Sequence, residues 1–215
     1  MKFNFLDFAS YKTFQFPLSI RLKLIILLTI LILLHIPFLS WPVIIFLVHL
    51  AFISTLYNVP EKSKGWIYLP LRSIPVLKVF LIAYIWASIS SFLPAIIESK
   101  QLFSQQHLVI FIAHFFFIVS ITLPFDIRDY NTDNKDALIT FPKLIGIIPT
   151  KIVALVCLGI FMTLITACTQ NWHLYIFSLL VAGLILFSTI KRKDYYFTFI
   201  IDGTLIVYFF ALILP

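Results

Sequence analysis

Apolar positions along this chain neither alternate with polar ones nor recur on one face of a helix; they run on in long, nearly continuous stretches that stop at short polar links. A helix needs about 17–25 mostly apolar residues to cross the hydrocarbon of a bilayer. Seven stretches approach that length, at 22–40, 42–57, 74–97, 107–125, 148–168, 172–190 and 196–214. The second is short and begins at a corner between Ser40 and Pro42, where the fixed φ of Pro42 suits the first turn of a new helix. Membrane strands are excluded, because they require alternation in segments of about ten residues. The pattern predicts an all-α integral membrane protein, a bundle of about seven transmembrane helices occupying 22–215. Residues 1–21 form a cytoplasmic or interfacial leader, in which Phe5, Phe8, Tyr11 and Phe14 could lie in the headgroup plane.

Composition strengthens this picture. Hydrophobic residues make up 61% of the 215 and charged residues only 12%, and mean hydropathy is +1.05. A water-soluble domain of this size has too little interior to hide so much apolar surface. The first long apolar run passes into Trp41 and Pro42 without a small-residue cleavage site, so no cleavable signal peptide is expected. Cys157 and Cys168 share one apolar segment at a separation of eleven residues, too far apart on a helix to bridge.

The net charge of +7 does not indicate nucleic acid, because the basic residues sit in short links between apolar runs. They set orientation instead. With the N-terminus in the cytoplasm and seven crossings, fifteen of the sixteen Lys and Arg residues lie inside and Lys100 alone lies outside. This asymmetry places the C-terminus outside; in a bacterium the membrane would be the inner one. Trp41, Trp66, Trp172, Tyr195 and Tyr196 fall where interfacial anchors are expected, and Lys191, Arg192 and Lys193 are placed to meet anionic lipid.

Most of the polar chemistry is gathered in one inward loop, FDIRDYNTDNKDALITFPKLIG, from Phe125 to Gly146. Asp126, Asp129 and Asp133 are spaced i, i+3, i+7, which on a helix puts them within about 60° of one another. Like charges stacked in this way repel, the more so beside a bilayer, and call for a cation. Hard carboxylate oxygens suit Mg²⁺ or Ca²⁺, and Mg²⁺ characteristically takes one or two carboxylates together with phosphate oxygens. A solvated acidic loop, with Asp126 or Asn131 capping a helix, accounts for the same spacing.

This loop resembles the second Asp-rich motif of the UbiA-type intramembrane prenyltransferases, NDxRDxxxD followed by GxxTLPxxxG. Asp126, Arg128, Asp129 and Asp133 stand in register, as do Thr140, Pro142 and Gly146, while Phe125, Ala137 and Phe141 depart from the motif. The resemblance implies an all-α fold and transfer of a prenyl group from an isoprenoid diphosphate to a lipid-soluble, typically aromatic acceptor. It also implies Mg²⁺ held by Asp126, Asp129 and Asp133. The family's first motif, NDxxDxxxD, belongs at the end of the second helix, where this chain reads TLYNVPEKSKGW. Asn58 remains, but Val59, Lys62 and Trp66 occupy the three Asp positions. The run YLPLRSIPVLKVFLIAYIWA resembles the family's approach to its fifth helix, which implies a shortened fold of seven helices instead of nine. Lys62, Lys64 and Arg72, with Asn58 and Arg128, then become the expected partners of a diphosphate. A catalytically degenerate relative that binds an isoprenoid lipid or a membrane partner is the alternative reading.

Three further polar residues lie inside apolar segments. Asp202 sits about seven residues into the last one beside Gly203, and a carboxylate at that depth needs a facing partner or a cavity. His49 and His114 fall within the second and fourth, where an interhelical hydrogen bond or a contact with substrate would satisfy each.

Overall fold

A computed structural model describes residues 18–57, 76–100, 104–130, 140–169 and 171–213, and every regular element among them is helical. In chain order these are α1 (Leu18–His35), a 3₁₀ turn (Ile36–Phe38), α2 (Trp41–Tyr57), α3 (Leu77–Ile97), α4 (Gln105–Arg128), α5 (Phe141–Ile145), α6 (Ile147–Thr169), α7 (His173–Phe187), a π-helical segment (Tyr196–Ile201) and α8 (Thr204–Ile213). All seven apolar stretches thus contain helix. Four spans are long and apolar enough to cross a membrane: Leu77–Ile97, Gln105–Arg128, Ile147–Thr169 and Tyr196–Ile213. Leu22–Phe38, Trp41–Thr55 and His173–Phe187 are shorter apolar helices. These helices are the features of an integral membrane protein that associates with a lipid bilayer.

The chain divides into two compact units, Met1–Ile44 and Ile45–Pro215. The first contains α1, apolar around its whole circumference, whose His35 Nδ1 bonds back to the Leu31 carbonyl at 2.7 Å. The interfacial leader expected before it lies outside the described residues.

In the second unit, α4 is the central helix and packs against α3 and α6. Of the seven buried positions on α3, five (Val79, Ala83, Ala87, Ser91 and Ala95) recur every fourth residue, with Ser88 and Ile96 beside them. Lipid tails are as apolar as leucine, so helix association in a membrane gains little from burying large side chains; small residues help by letting backbones approach closely. The α4–α6 contact is filled differently, by rings: Phe117, Phe161 and Phe177 meet Tyr208 of α8 with centroids 5.3–5.5 Å from it. Helix α7 packs between α6 and α8, and α5 joins α4 to α6.

Both ends of this helix group are tied. At one rim the Asn171 amide donates to the Ala211 carbonyl (3.0 Å) while its Oδ1 accepts from the His173 N–H (2.9 Å). At the other, Lys151 donates to the Leu186 carbonyl (2.8 Å) and Arg192 to the Phe187 carbonyl (3.2 Å). Those two cations neutralise the exposed carbonyls at the C-terminus of α7, where the helix dipole is negative. Tyr196 is buried, with its hydroxyl donating to the Leu184 carbonyl at 2.6 Å, so it is a packing residue and not the exposed anchor that its position suggested. Its neighbour Tyr195 is exposed, as is Trp172. Glu98, outside the spans, is exposed beside Lys100, which bonds its carboxyl and holds it below the usual carboxylate range.

Candidate functional site

Helix α4 begins at Ser104, whose Oγ accepts from the His107 N–H (3.3 Å), and ends at Asp129, whose N–H bonds the Phe125 carbonyl (2.9 Å). Its last turn therefore carries Phe125, Asp126, Arg128 and Asp129. The unsatisfied carbonyls of a helix end make this a place for positive charge.

Two carboxylates there meet two cations. Asp126 is buried, with a side chain only 2% exposed, and its Oδ1 lies 3.6 Å from Lys78 Nζ on the first turn of α3. Asp129 is taken by its neighbour: Arg128 Nε and a terminal nitrogen reach Oδ1 and Oδ2 at 2.7 and 3.1 Å. The Arg128 guanidinium lies over two rings, Phe125 at 5.1 Å and Phe197 at 5.7 Å, the second contributed by the π-helical segment. A bidentate guanidinium–carboxylate pair held against aromatic faces is a rigid arrangement. Asp194, just before the π-helical segment, and Asp202, just after it, both lie within electrostatic range of Arg128.

Lys78 did not stand out in the sequence, where it counted only as one more inward-facing cation. The signal it carried was being the sole charge in the apolar run Leu77–Ile97. Asp133 and the diphosphate candidates Asn58, Lys62, Lys64 and Arg72 lie outside the described residues, as does Trp66. Among the described residues, no group of three or more His, Cys, Asp and Glu side chains could hold a metal ion. Two carboxylates suit Mg²⁺ only where phosphate oxygens or water complete its octahedron. At the end of α4 the two carboxylates, each already beside a cation, do not by themselves form a cage for a metal ion.

The intramembrane histidines are both hydrogen-bonded. His114 joins three helices, with Nδ1 3.2 Å from Ser91 Oγ on α3 and Nε2 3.0 Å from the Tyr208 hydroxyl on α8. His49 Nε2 on α2 lies 2.9 Å from the Tyr84 hydroxyl on α3. Asp202 is exposed and follows the π-helical segment, its N–H bonding the Phe197 carbonyl at 3.1 Å. Such wide turns occur often at functional sites. At the opposite end of α4 from Asp126, Gln105, Gln106, Val109 and Cys168 line a shallow opening. The two cysteines are free, Cys157 buried and Cys168 exposed.

No family model, curated protein or solved structure matches the chain.

Proposed function

We propose that this chain is a shortened UbiA-type membrane protein with seven transmembrane helices, its N-terminus in the cytoplasm and its C-terminus outside. It binds an isoprenoid diphosphate at the inner end of α4 and transfers the prenyl group to a lipid-soluble acceptor. The observation that carries this reading is Asp126: a carboxylate 2% exposed, at the end of a 24-residue apolar helix, facing Lys78. It opens the run in which Arg128, Asp129 and Asp133 also stand in the family's register. A buried carboxylate in that position costs several kcal/mol in solvation, which a membrane helix sustains where charge serves a ligand.

The chain's own residues divide the work. Lys78 and Arg128 offer direct positive charge to the diphosphate, joined by Lys62, Lys64, Arg72 and the amide of Asn58. Asp126, Asp129 and Asp133 supply oxygens for Mg²⁺. When bound, Mg²⁺ would neutralise the charge that develops on diphosphate as the carbon–oxygen bond breaks. Phe125 and Phe197 fix the Arg128 guanidinium and keep water from one of its faces.

The test is binding of a radiolabelled prenyl diphosphate to the purified protein with and without Mg²⁺. Wild type is expected to bind in an Mg²⁺-dependent way, and Asp126→Asn and Asp129→Ala to weaken that binding about tenfold or more. Binding that ignores both Mg²⁺ and the substitutions would remove the metal site from the proposal.

A second reading has its own support. Asp126 and Asp129 already have cationic partners, and Val59, Lys62 and Trp66 replace the carboxylates of the family's first motif. On this reading the protein holds an isoprenoid lipid or a membrane partner without chemistry. Ligand binding with no transfer to any acceptor would favour it.

A further inference from the structure

Two cations are fixed side by side at the end of α7, and we infer that Lys151 and Arg192 hold the phosphate of one anionic phospholipid, at a site separate from the end of α4. They come from different elements, Lys151 from the start of α6 and Arg192 from the link that follows α7. Yet they bond the carbonyls of neighbouring residues: Lys151 Nζ that of Leu186 at 2.8 Å, and Arg192 Nε that of Phe187 at 3.2 Å. Adjacent residues have Cα atoms about 3.8 Å apart, so a single headgroup can reach both cations. Each bond uses a single donor, and lysine has three and arginine five. The remaining donors, the terminal nitrogens of the guanidinium among them, are left for a ligand.

Arg192 is held from three sides. Its own N–H bonds the Thr189 carbonyl at 3.0 Å, its Nε the Phe187 carbonyl, and its guanidinium lies 5.2 Å from the centre of the Tyr196 ring. Tyr196 is itself anchored through its hydroxyl to the Leu184 carbonyl. A cation placed before its ligand arrives loses less side-chain freedom on binding. Generic attraction to a charged leaflet requires no such placement.

Charge and surroundings point to the occupant. Lys191 and Lys193 are exposed on either side of Arg192. Among the described residues, no carboxylate forms an ion pair with Lys151, Lys191, Arg192 or Lys193. Such a surplus at a membrane rim draws anionic headgroups. The apolar neighbours are exposed as well: Leu186 and Phe187, whose carbonyls hold the two cations, and Ile148 and Ile152 on either side of Lys151 in α6. A free phosphate would use the cations alone, whereas a phospholipid also lays hydrocarbon against these side chains.

The experiment measures binding of radiolabelled dioleoyl phosphatidylglycerol to the full chain in mixed micelles. Saturable binding of a single lipid per chain is expected, with dioleoyl phosphatidylcholine competing about tenfold less well. Arg192→Lys keeps the net charge but loses the guanidinium fork, and should weaken binding about tenfold, as should Lys151→Gln. Lys193→Gln removes a charge that holds neither carbonyl and should cost less than either. Should Lys151→Gln fail to fold, Arg192→Lys and Lys193→Gln still decide the matter. Wild-type binding by folded Arg192→Lys, or a loss in Lys193→Gln as large as in Arg192→Lys, would reduce the site to diffuse attraction and overturn the inference. Phosphatidylcholine competing equally, or inorganic phosphate displacing the lipid, overturns it too. Displacement by farnesyl diphosphate would give the two cations to the diphosphate site instead, and a separate lipid site would be lost.

Discussion

At the scale of single residues, the contrast between His114 and Lys78 is instructive. A histidine in an apolar run is conspicuous in a sequence, and both His49 and His114 were recognisable as needing partners. Their partners were not recognisable, because Tyr84 is 35 and Tyr208 94 residues away and no local period links them. Lys78 was overlooked for the opposite reason: a lysine at a helix start reads as a topology charge until a buried carboxylate is found opposite it. The two hydrogen bonds of His114 tie α3, α4 and α8 together inside an apolar core. Tyr208→Phe keeps the ring among Phe117, Phe161 and Phe177 and removes only the hydroxyl. It is expected to lower stability by about 1 kcal/mol, the scale of interhelical hydrogen bonds in membranes, as read from unfolding in mixed detergent micelles. No loss would assign the tie to ring packing alone.

At the scale of elements, the positions of the helices were legible and their irregularities were not. Continuous apolar stretches reveal where a helix lies whatever its internal hydrogen bonding, so 196–214 reads as one uninterrupted span. The structure instead has a π-helical segment, Tyr196–Ile201, a turn at Asp202 and Gly203, and then α8. A Cβ placed on Gly203 would lie 2.3 Å from the Phe199 carbonyl oxygen, closer than any side chain tolerates. Gly159 and Gly183 have nothing within 4 Å of the same position. Gly203→Ala is therefore expected to destabilise the protein by about 1–3 kcal/mol and to displace Phe197 from Arg128. Gly159→Ala and Gly183→Ala should be neutral or mildly stabilising, since each shortens the list of unfolded conformations. Thermal unfolding of the three variants side by side checks the order.

At the scale of the whole molecule, the packing of the helices was not legible in the sequence. An apolar-all-round helix has no preferred face in the sequence, so neither the central place of α4 nor the small-residue seam of α3 could be read before the packing was known. The acidic stretch stood out in the sequence, yet the way Asp126 and Asp129 divide between Lys78 and Arg128 depends on Lys78 of α3, 48 residues before Asp126 in the chain. Orientation is open to a direct check. Cys168 is exposed near the end of α6, whereas Cys157 is buried within it. With the proposed topology, a membrane-impermeant maleimide should label Cys168 from outside intact cells and leave Cys157 unmodified; labelling only after permeabilisation would invert the arrangement. The ties at both rims have a mechanical meaning as well. Asn171 fastens the α6–α7 turn to the last turn of α8, and Lys151 with Arg192 clasps the other end of α7. Three helices riveted top and bottom behave as a fixed wall. Parting α6 from α7, or either from α8, at a rim would first have to break one of these hydrogen bonds.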